Sequence, residues 1–550
     1  MGPTWSGTPL RRLSQVFCLL AFLVLFFYVC WPYGAREYGA AFRAKEIVDA
    51  ELFLKLDPLV SLSTALAAKM LVGSCKVAAV VILVCLVFPR AFCGYACPLG
   101  TLLDGFDWLI GRRTGRFELK RAGWWVNARY GLLMAVLVAA GFGILLSGFV
   151  AAIPVLTRAL LFVLAPIQTG LGKGWYLVPS ANFGHFLSIL LVALTFALGF
   201  LGRRFWCRYV CSTGALLSLC NLLRLSERRV TSACVKCGQC VKACSFGAIN
   251  EDFSTRFLDC TFCQSCAGVC PAGAIEFTSR WTANDKEQPA RPEIVVSRRG
   301  VLAGLGAASL AGVGASLVRG QTGGPPIRPP GSVPEDKFLQ LCIRCGQCLK
   351  VCPNNVLQPV GFEHGLNSLW TPKIVADWSG CEPSCNNCGQ VCPTGAVRAL
   401  ALEEKRAARI GLAQVDPGIC LPHVRRGACR LCVDECQMAG YDAIEFTRVG
   451  GERDEKGEPV EDSGYLAPVV RADRCVGCGL CQMRCHAIHV KAEGLLRRPA
   501  IRVVAGAGRE DRILSGSYVA LREQRTKQKE ENGSHPQDGA ASEYLPDFLK

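Results

Sequence analysis

Charge is scarce in this chain of 550 residues: Asp, Glu, Lys and Arg make up 19%, below the ~25% of an average soluble protein, while apolar residues reach 51%. That balance excludes a disordered chain and argues against a purely soluble one. Histidine is scarcer still, with six in all. Only His185 falls in a long apolar run, so a bis-histidine haem inside such a run is excluded, leaving Met70 or Met134 as remote axial ligands; no haem is expected. No segment carries the glycine-rich fingerprint of a Rossmann or P-loop nucleotide site. Isolated half-cystines on a short secreted chain, the mark of a disulfide scaffold, are also missing. The 33 cysteines instead fall mostly into tight, repeated clusters.

The first half holds four long apolar runs, 13–35, 70–88, 130–157 and 174–202, each near the ~20 residues that span a bilayer. Lys76 lies in the outer half of the second, where a long side chain can snorkel. The stretch 159–172 is apolar but shorter and reads as interfacial or re-entrant. One set of loops, Arg11–Arg12, 90–129 and 203–229, carries fifteen Lys and Arg; the other, 36–69 with Arg158 and Lys173, carries seven. The positive-inside rule makes the first set cytoplasmic. A signal peptide is the rival reading of 1–35, but the run is long and lacks a small-residue cleavage site.

Two of the cytoplasmic loops repeat a motif. Cys93-Gly-Tyr-Ala-Cys97-Pro-Leu-Gly100 follows the second run and Cys207-Arg-Tyr-Val-Cys211-Ser-Thr-Gly214 the fourth. Their equivalent positions point to two hairpins related by an axis along the membrane normal. On a helix, Cys-x-x-x-Cys puts both thiols on one face. Three readings stay open: one metal site shared by Cys93, Cys97, Cys207 and Cys211, redox-active thiols, or inert helix-end packing.

Beyond residue 230 the cysteines fall into six quartets. Cys234, Cys237, Cys240, Cys244 and Cys260, Cys263, Cys266, Cys270 both have the spacing C-x2-C-x2-C-x3-C. This is the two-cluster bacterial ferredoxin pattern, in which the fourth cysteine of each run ligates the other [4Fe–4S] cube. Cys270 is therefore expected with Cys234, Cys237 and Cys240, and Cys244 with Cys260, Cys263 and Cys266. Short strands at Ala248-Ile249 and Ala274-Ile275 should close the two halves. Paired Cys-x-x-Cys also suits zinc, but the doubled quartet favours iron. Cys342, Cys345, Cys348, Cys352 and Cys475, Cys478, Cys481, Cys485 keep the standard spacing. In Cys381, Cys385, Cys388, Cys392 the first gap opens by one residue, and in Cys420, Cys429, Cys432, Cys436 it opens to eight. Cys485-His486 lacks the Cys-x-x-Cys-His spacing of haem attachment. Nested and sequential exchange of fourth ligands both fit these last four quartets. Cys18, Cys30, Cys75, Cys85 and Cys220 stand apart and read as buried apolar residues. Six cubes at about −2 each would reduce the formal charge of +17 to near +5, which removes the argument for nucleic acid.

Between the ferredoxin regions, Ser297-Arg298-Arg299-Gly300-Val301-Leu302 opens nineteen uncharged residues, 300–318. Twin arginines ahead of such a core read as an export signal, here internal; the alternative is an ordinary fifth span. Either places 320–550 outside the cytoplasm. The expected organisation is a membrane domain, 1–230; a cytoplasmic two-cluster domain, 231–290; the twin-arginine segment and fifth span, 291–319; and a proline-rich extended linker, 320–336. A periplasmic four-cluster domain, 337–510, and a disordered tail, 511–550, complete it. The fold class is an α-helical membrane domain fused to α+β ferredoxin-like domains on both sides of a bacterial inner membrane.

These motifs carry a resemblance. Residues 1–290 resemble the H-type membrane subunit of the periplasmic nitrate reductase quinol dehydrogenase family. Residues 297–510 resemble its G-type partner, through the twin arginines, CIRCGQCLKVCP, CLPHVRRGACRLCVDEC and CVGCGLCQMRC. Ferredoxins of methylamine utilisation and regulators of nitrous oxide reduction are similar. The departures are Ser212, where a second proline is expected, and the fusion itself. The resemblance implies membrane quinol as substrate and a periplasmic reductase or cytochrome c as acceptor. Glu46, Asp49, Glu51, Asp57 and His185 are the candidate proton acceptors. The alternative function is a redox maturation factor that supplies electrons to a partner metalloenzyme.

Overall fold

The computed structural model describes residues 9–29, 49–111, 113–114, 116–117, 124–281, 306, 324–451 and 463–531. Cys30, Glu46, the twin arginines, the fifth span apart from Gly306, and the chain beyond 531 lie outside the described residues.

Among the described residues, eight helices of nine or more residues make a bundle: α1 Pro9–Val29, α2 Pro58–Ala68, α3 Ser74–Val87, α4 Pro98–Phe106, α5 Ala128–Gly141, α6 Ala152–Gly172, α7 Phe183–Ala197 and α8 Ser212–Cys220. Their ends follow from local chemistry. Asp57 caps α2, accepting the Leu59 N–H at 3.1 Å with Pro58 in the first turn, and Lys69 ends it in the left-handed region. Asn182 and His185 form a reciprocal cap on α7.

Three segments are long and apolar enough to cross a membrane: Pro9–Phe27, Ala152–Gly172 and Phe183–Leu201. This differs from the four runs read by hydropathy. The run 130–157 is not one helix; α5 stops at Gly141, Gly143 takes φ +81, and α6 starts at Ala152. Glycine and serine break the backbone where every residue is still apolar enough to hide the break. The segment 159–172, expected to be interfacial, is the second half of the long helix α6. The run 70–88 is the 14-residue α3, ~21 Å long and shorter than a full span.

Two cysteine-rich units sit at opposite ends of the bundle. The near unit, 226–281, is closed by strand β1 (Ser226–Val230) antiparallel to β2 (Ile275–Ser279). Ile249, expected in a strand, makes only a bridge to Thr255. The far unit, 324–531, contains three two-stranded antiparallel sheets: β3 (Leu357–Pro359) with β4 (Pro372–Ile374), β5 (Leu412–Val415) with β8 (Ile501–Val504), and β6 (Ile444–Val449) with β7 (Tyr465–Val470). α3 begins at the far unit, where Val72 packs with Phe338, and ends at the near unit, where Leu86 accepts the Leu225 N–H. α5 begins at the near unit, where Arg129 meets Asp259 at 2.7 Å, and runs to the far unit, where Leu145 O accepts from Arg344. α7 begins at the far unit, where Gly184 O accepts from Trp370 Nε1 at 2.7 Å, and leads to Arg203, bonded to Lys242 O.

Two expectations for the far unit are corrected. The linker 320–336 is not an extended spacer over its described part. Arg328 is 1% exposed and paired with Glu335, and Gly331 packs so closely that a Cβ would lie 2.9 Å from Arg398 O. The tail 511–550 is not disordered from its start. Asp511 pairs with Arg409, and α9 (Tyr518–Glu531) docks through a buried Tyr518, with Glu404 accepting the Tyr518 N–H. The hydrophilic composition of α9 conceals one apolar anchor.

Candidate metal centres

The four quartets of standard spacing share one loop conformation. The residues on either side of the middle cysteine are left-handed in each: Lys236 and Gly238, Phe262 and Gln264, Arg344 and Gly346, Gly477 and Gly479. This turns successive backbone N–H groups into a concave nest suited to an anionic group. At Gly477 the fold also demands glycine, because a Cβ would lie 2.4 Å from Gly411 O. Backbone amides of the following turn reach the fourth cysteine: Ala248 to Cys244 (3.2 Å), Ala274 to Cys270 (3.3 Å), Val397 to Cys392 (3.4 Å), Ala443 to Cys436 (3.2 Å) and Ala500 to Cys485 (3.3 Å). Such N–H···S bonds stabilise thiolate ligands and tune their potential.

The fold decides the pairings. Cys244 lines a small cavity with Cys260, Cys263 and Cys266, and Cys270 lies in the core patch that also holds Cys240, Cys244 and Cys266. Cys392 neighbours Cys342, Cys345 and Cys348, and Cys352 neighbours Cys381, Cys385 and Cys388. Cys485 lines a cavity with Cys420, Cys429 and Cys432, and Cys436 neighbours Cys475, Cys478 and Cys481. In the far unit the fourth cysteine of each quartet therefore lies with the first three of its sequence-adjacent partner, and the nested arrangement does not occur among the described residues. The loosest quartet closes because the chain between Cys420 and Cys429 folds back through hydrogen-bonded turns, with Leu421 O accepting the Arg426 N–H at 2.9 Å.

These cavities fit cubes. Burial pushes the Cys385, Cys432 and Cys478 thiols up to about 12, so loading must displace protons. Arg158 is fully buried beside Cys342 and Cys345, bonded to Ser188 Oγ and Gly148 O, and its Nη2 has no partner. A buried cation so placed calls for an anion, and a thiolate-held cube supplies one.

One feature escaped the sequence reading. His489 Nε2 lies 3.3 Å from Cys429 Sγ, while its Nδ1 contacts Glu493 at 2.7 Å. The signal was two histidines three apart after Cys485, of which only the first drew notice. Nδ1–H donates to the Glu493 carboxylate, so the ring that also carries a proton on Nε2 is an imidazolium, and in that form it would donate to the sulfur and stabilise the reduced state of a centre held there. His489→Phe should lower one midpoint potential by on the order of 50 mV, the one-electron equivalent of ~1 kcal/mol, in an anaerobic redox titration.

The two repeated motifs converge. Cys93, Cys97, Cys207 and Cys211 pack against one continuous apolar core, which also contains Cys345 of the far unit. Cys97 and Cys211 are the N-caps of the nine-residue helices α4 and α8, and Cys211 Sγ accepts the Gly214 N–H at 3.3 Å. Each motif is covered by the arginine of the other. Arg204 bonds to Cys93 O and Gly100 O, and Arg90 reaches within 3.0 Å of where a Cβ on Gly214 would stand. Arg204 is neutralised by Asp104, which also takes Arg11 and Arg12. Arg90 is not: it is wholly buried, bonds to Leu258 O and Asp259 O through Nη1, and leaves Nε and Nη2 without partners. Tyr95, between Cys93 and Cys97, donates to Phe262 O beside Cys263 at 2.9 Å. Of the other cysteines, Cys85 is buried and Cys18, Cys75 and Cys220 are half-buried.

Comparison with known proteins bears on the same regions. A 4Fe-4S dicluster domain matches residues 341–421, and 4Fe-4S binding domains match 229–250 and, in two pieces, 77–116 and 184–229. The ferredoxin-type protein NapG of Escherichia coli is 34% identical over 213 residues, which is 82% of that protein and 38% of this chain. The chain belongs to the NapG/MauM family of ferredoxin-type proteins. The methylamine utilisation ferredoxin-type protein MauM of Paracoccus denitrificans is 34% identical over 207 residues, 83% of its length and 34% of this chain. The putative electron transport protein YccM of Escherichia coli is 28% identical over 299 residues, 78% of its length and 51% of this chain. No solved structure matches. As a NapG/MauM relative with three span-length apolar helices, the protein is a membrane-associated iron–sulfur protein with an electron-transfer role.

Proposed function

We propose that this protein oxidises quinol in a bacterial inner membrane and passes electrons to a periplasmic reductase or cytochrome c. In this reading it fuses an H-type membrane unit to a G-type ferredoxin, with the near unit cytoplasmic and the far unit periplasmic. The twenty-four quartet cysteines hold six [4Fe–4S] clusters, and Cys93, Cys97, Cys207 and Cys211 hold a seventh thiolate centre.

The observation that carries the reading is continuity. Cysteines of neighbouring centres lie beside one another through the far unit: Cys348 by Cys388, Cys381 by Cys478, and Cys432 by Cys481. At the other end, Tyr95 links Cys93 and Cys97 to the loop holding Cys263, and one apolar core joins those thiols to Cys345. One-electron centres in such a row supply a relay. The asymmetry of fifteen to seven basic residues supports the sidedness.

A short-chain quinol added anaerobically to the oxidised protein should bleach the cluster absorption, with about twenty-four iron atoms per chain in the six quartets. Alkaline phosphatase fused after Ala520 should be active and after Glu227 inactive. Clusters that a cytoplasmic ferredoxin reduces while quinol leaves them oxidised would mark the maturation role instead.

A further inference from the structure

A cavity of about 260 Å³ lies where α6 and α7 meet the far unit. Its apolar wall includes Phe162, Ala165, Phe186 and Ile189, and the last two are also exposed on the outside of the bundle, facing what would be lipid. Its other wall is the loop 349–359 of the far unit with Cys352, the cysteine that joins Cys381, Cys385 and Cys388. A compact apolar pocket with a few placed polar groups is the form of a small-molecule site.

Two of those polar groups are poised. Asn182 Nδ2 donates to Pro359 O at 2.8 Å, which turns its Oδ1 to His185 Nδ1, also at 2.8 Å. The Asn182 backbone N–H donates to Nδ1 at 3.1 Å, the reciprocal half of the α7 cap, so Nδ1 is an acceptor and the neutral ring carries its proton on Nε2. The His185 ring is held by Phe162, with centroids 4.3 Å apart. On the opposite wall Asn387 is 2% exposed, and its Oδ1 has no hydrogen-bond partner. A buried amide oxygen left unmet beside a cavity calls for a donor from a ligand.

We propose that this cavity is the quinol site, with the ring between Phe162 and Cys352, one quinol oxygen accepting from His185 Nε2–H and the other hydroxyl donating to Asn387 Oδ1. The inference rests on the quinol reading above and adds where and through which residues it occurs. Oxidation breaks both O–H bonds of the quinol. Both protons leave to solvent, while the two electrons go to two oxidised one-electron centres, the first of which would be held by Cys352, Cys381, Cys385 and Cys388. Phe186 and Ile189 leave the side of the ring open for an isoprenoid tail. Of the acidic residues weighed with His185, Asp49 and Glu51 are paired with Lys55, and Asp57 is spent capping α2 and bonding Thr213.

The test is photolabelling of the full chain with an azido-substituted short-chain quinone, in parallel with quinol-driven cluster bleaching. The label should fall on peptides from 161–189 and 349–359. Ala165→Trp should fill the cavity and abolish both labelling and bleaching, while dithionite still gives wild-type cluster spectra, which reports an intact fold. His185→Leu should lower labelling and quinol-driven bleaching about 10-fold, the scale of one lost hydrogen bond, and His185→Gln, which restores an N–H donor, should recover part of the loss. Label on other helices, with Ala165→Trp still bleached by quinol at the wild-type rate, would overturn this site and leave quinol oxidation standing. Label in the cavity with no bleaching by any quinol would overturn quinol oxidation itself.

Discussion

Replacing Cys93 or Cys207 with alanine should remove one and the same spectroscopic centre and abolish electron exchange between the near and far units. The gap explains the size of the effect: α3 runs between the two units as 14 residues, or ~21 Å, and no other cysteine group lies in the core between them among the described residues. Reduction of the near unit by a cytoplasmic-type ferredoxin should then stop at Cys234–Cys270, while dithionite reduces both units. Arg90 adds a second signature. Its buried charge, unmatched once the centre is gone, should cost ~3–5 kcal/mol of stability. Arg90→Met in the same chain should return much of that loss, whereas Arg90→Met alone should lower the potential of the centre. If Cys93→Ala and Cys207→Ala remove different signals, or if adding Arg90→Met to either cysteine variant returns no stability, the four thiols act as two separate pairs.

That centre shows where sequence reading stops. Spacing is local, so C-x2-C-x2-C-x3-C is legible at a glance, as is the repetition of Cys-x-x-x-Cys after two apolar runs. Which fourth cysteine joins which quartet depends on packing between loops tens of residues apart, and hydropathy says nothing of it. The same blindness hid the break at Gly143, because an apolar loop buried among helices has the composition of a span. Arg11, Arg12 and Arg204 read as loop charges that set orientation; in the fold they converge on Asp104 and lock α1 and α4 to the second motif. His185 was one of five candidate acceptors on sequence grounds; in the fold it lines one cavity with Cys352, and its Nδ1 is taken by the Asn182 N–H. The membrane runs alone left the bilayer without a conductor. The bundle core, with thiols from both motifs packed on the residues that reach Cys345, supplies a place for one.

Iron removal should unfold the far unit and leave the helix bundle. In the patch around β5 and β8, six of the fourteen buried residues are cluster cysteines: Cys420, Cys432, Cys436, Cys475, Cys481 and Cys485. The sheets here have two strands each, which are marginal on their own in water. On the proposed function the interior is built of ligands around cubes, which would couple folding of this unit to loading. For comparison, structural zinc supplies ~10–16 kcal/mol to small metal domains. The bundle differs, because its core is Leu, Val, Phe and Ala, with Leu59, Val136, Ile153 and Leu217 fully buried. Stripping the protein with ferricyanide and chelator in detergent should expose 337–510 to trypsin within minutes. Fragments containing α5–α7 should persist, and most helical circular dichroism should be retained. Anaerobic reconstitution with iron and sulfide should restore protection in step with cluster absorption. A stripped far unit that resists trypsin as the loaded one does would mean that its loops hold their shape without the clusters, and that the cubes are passengers in a preformed scaffold.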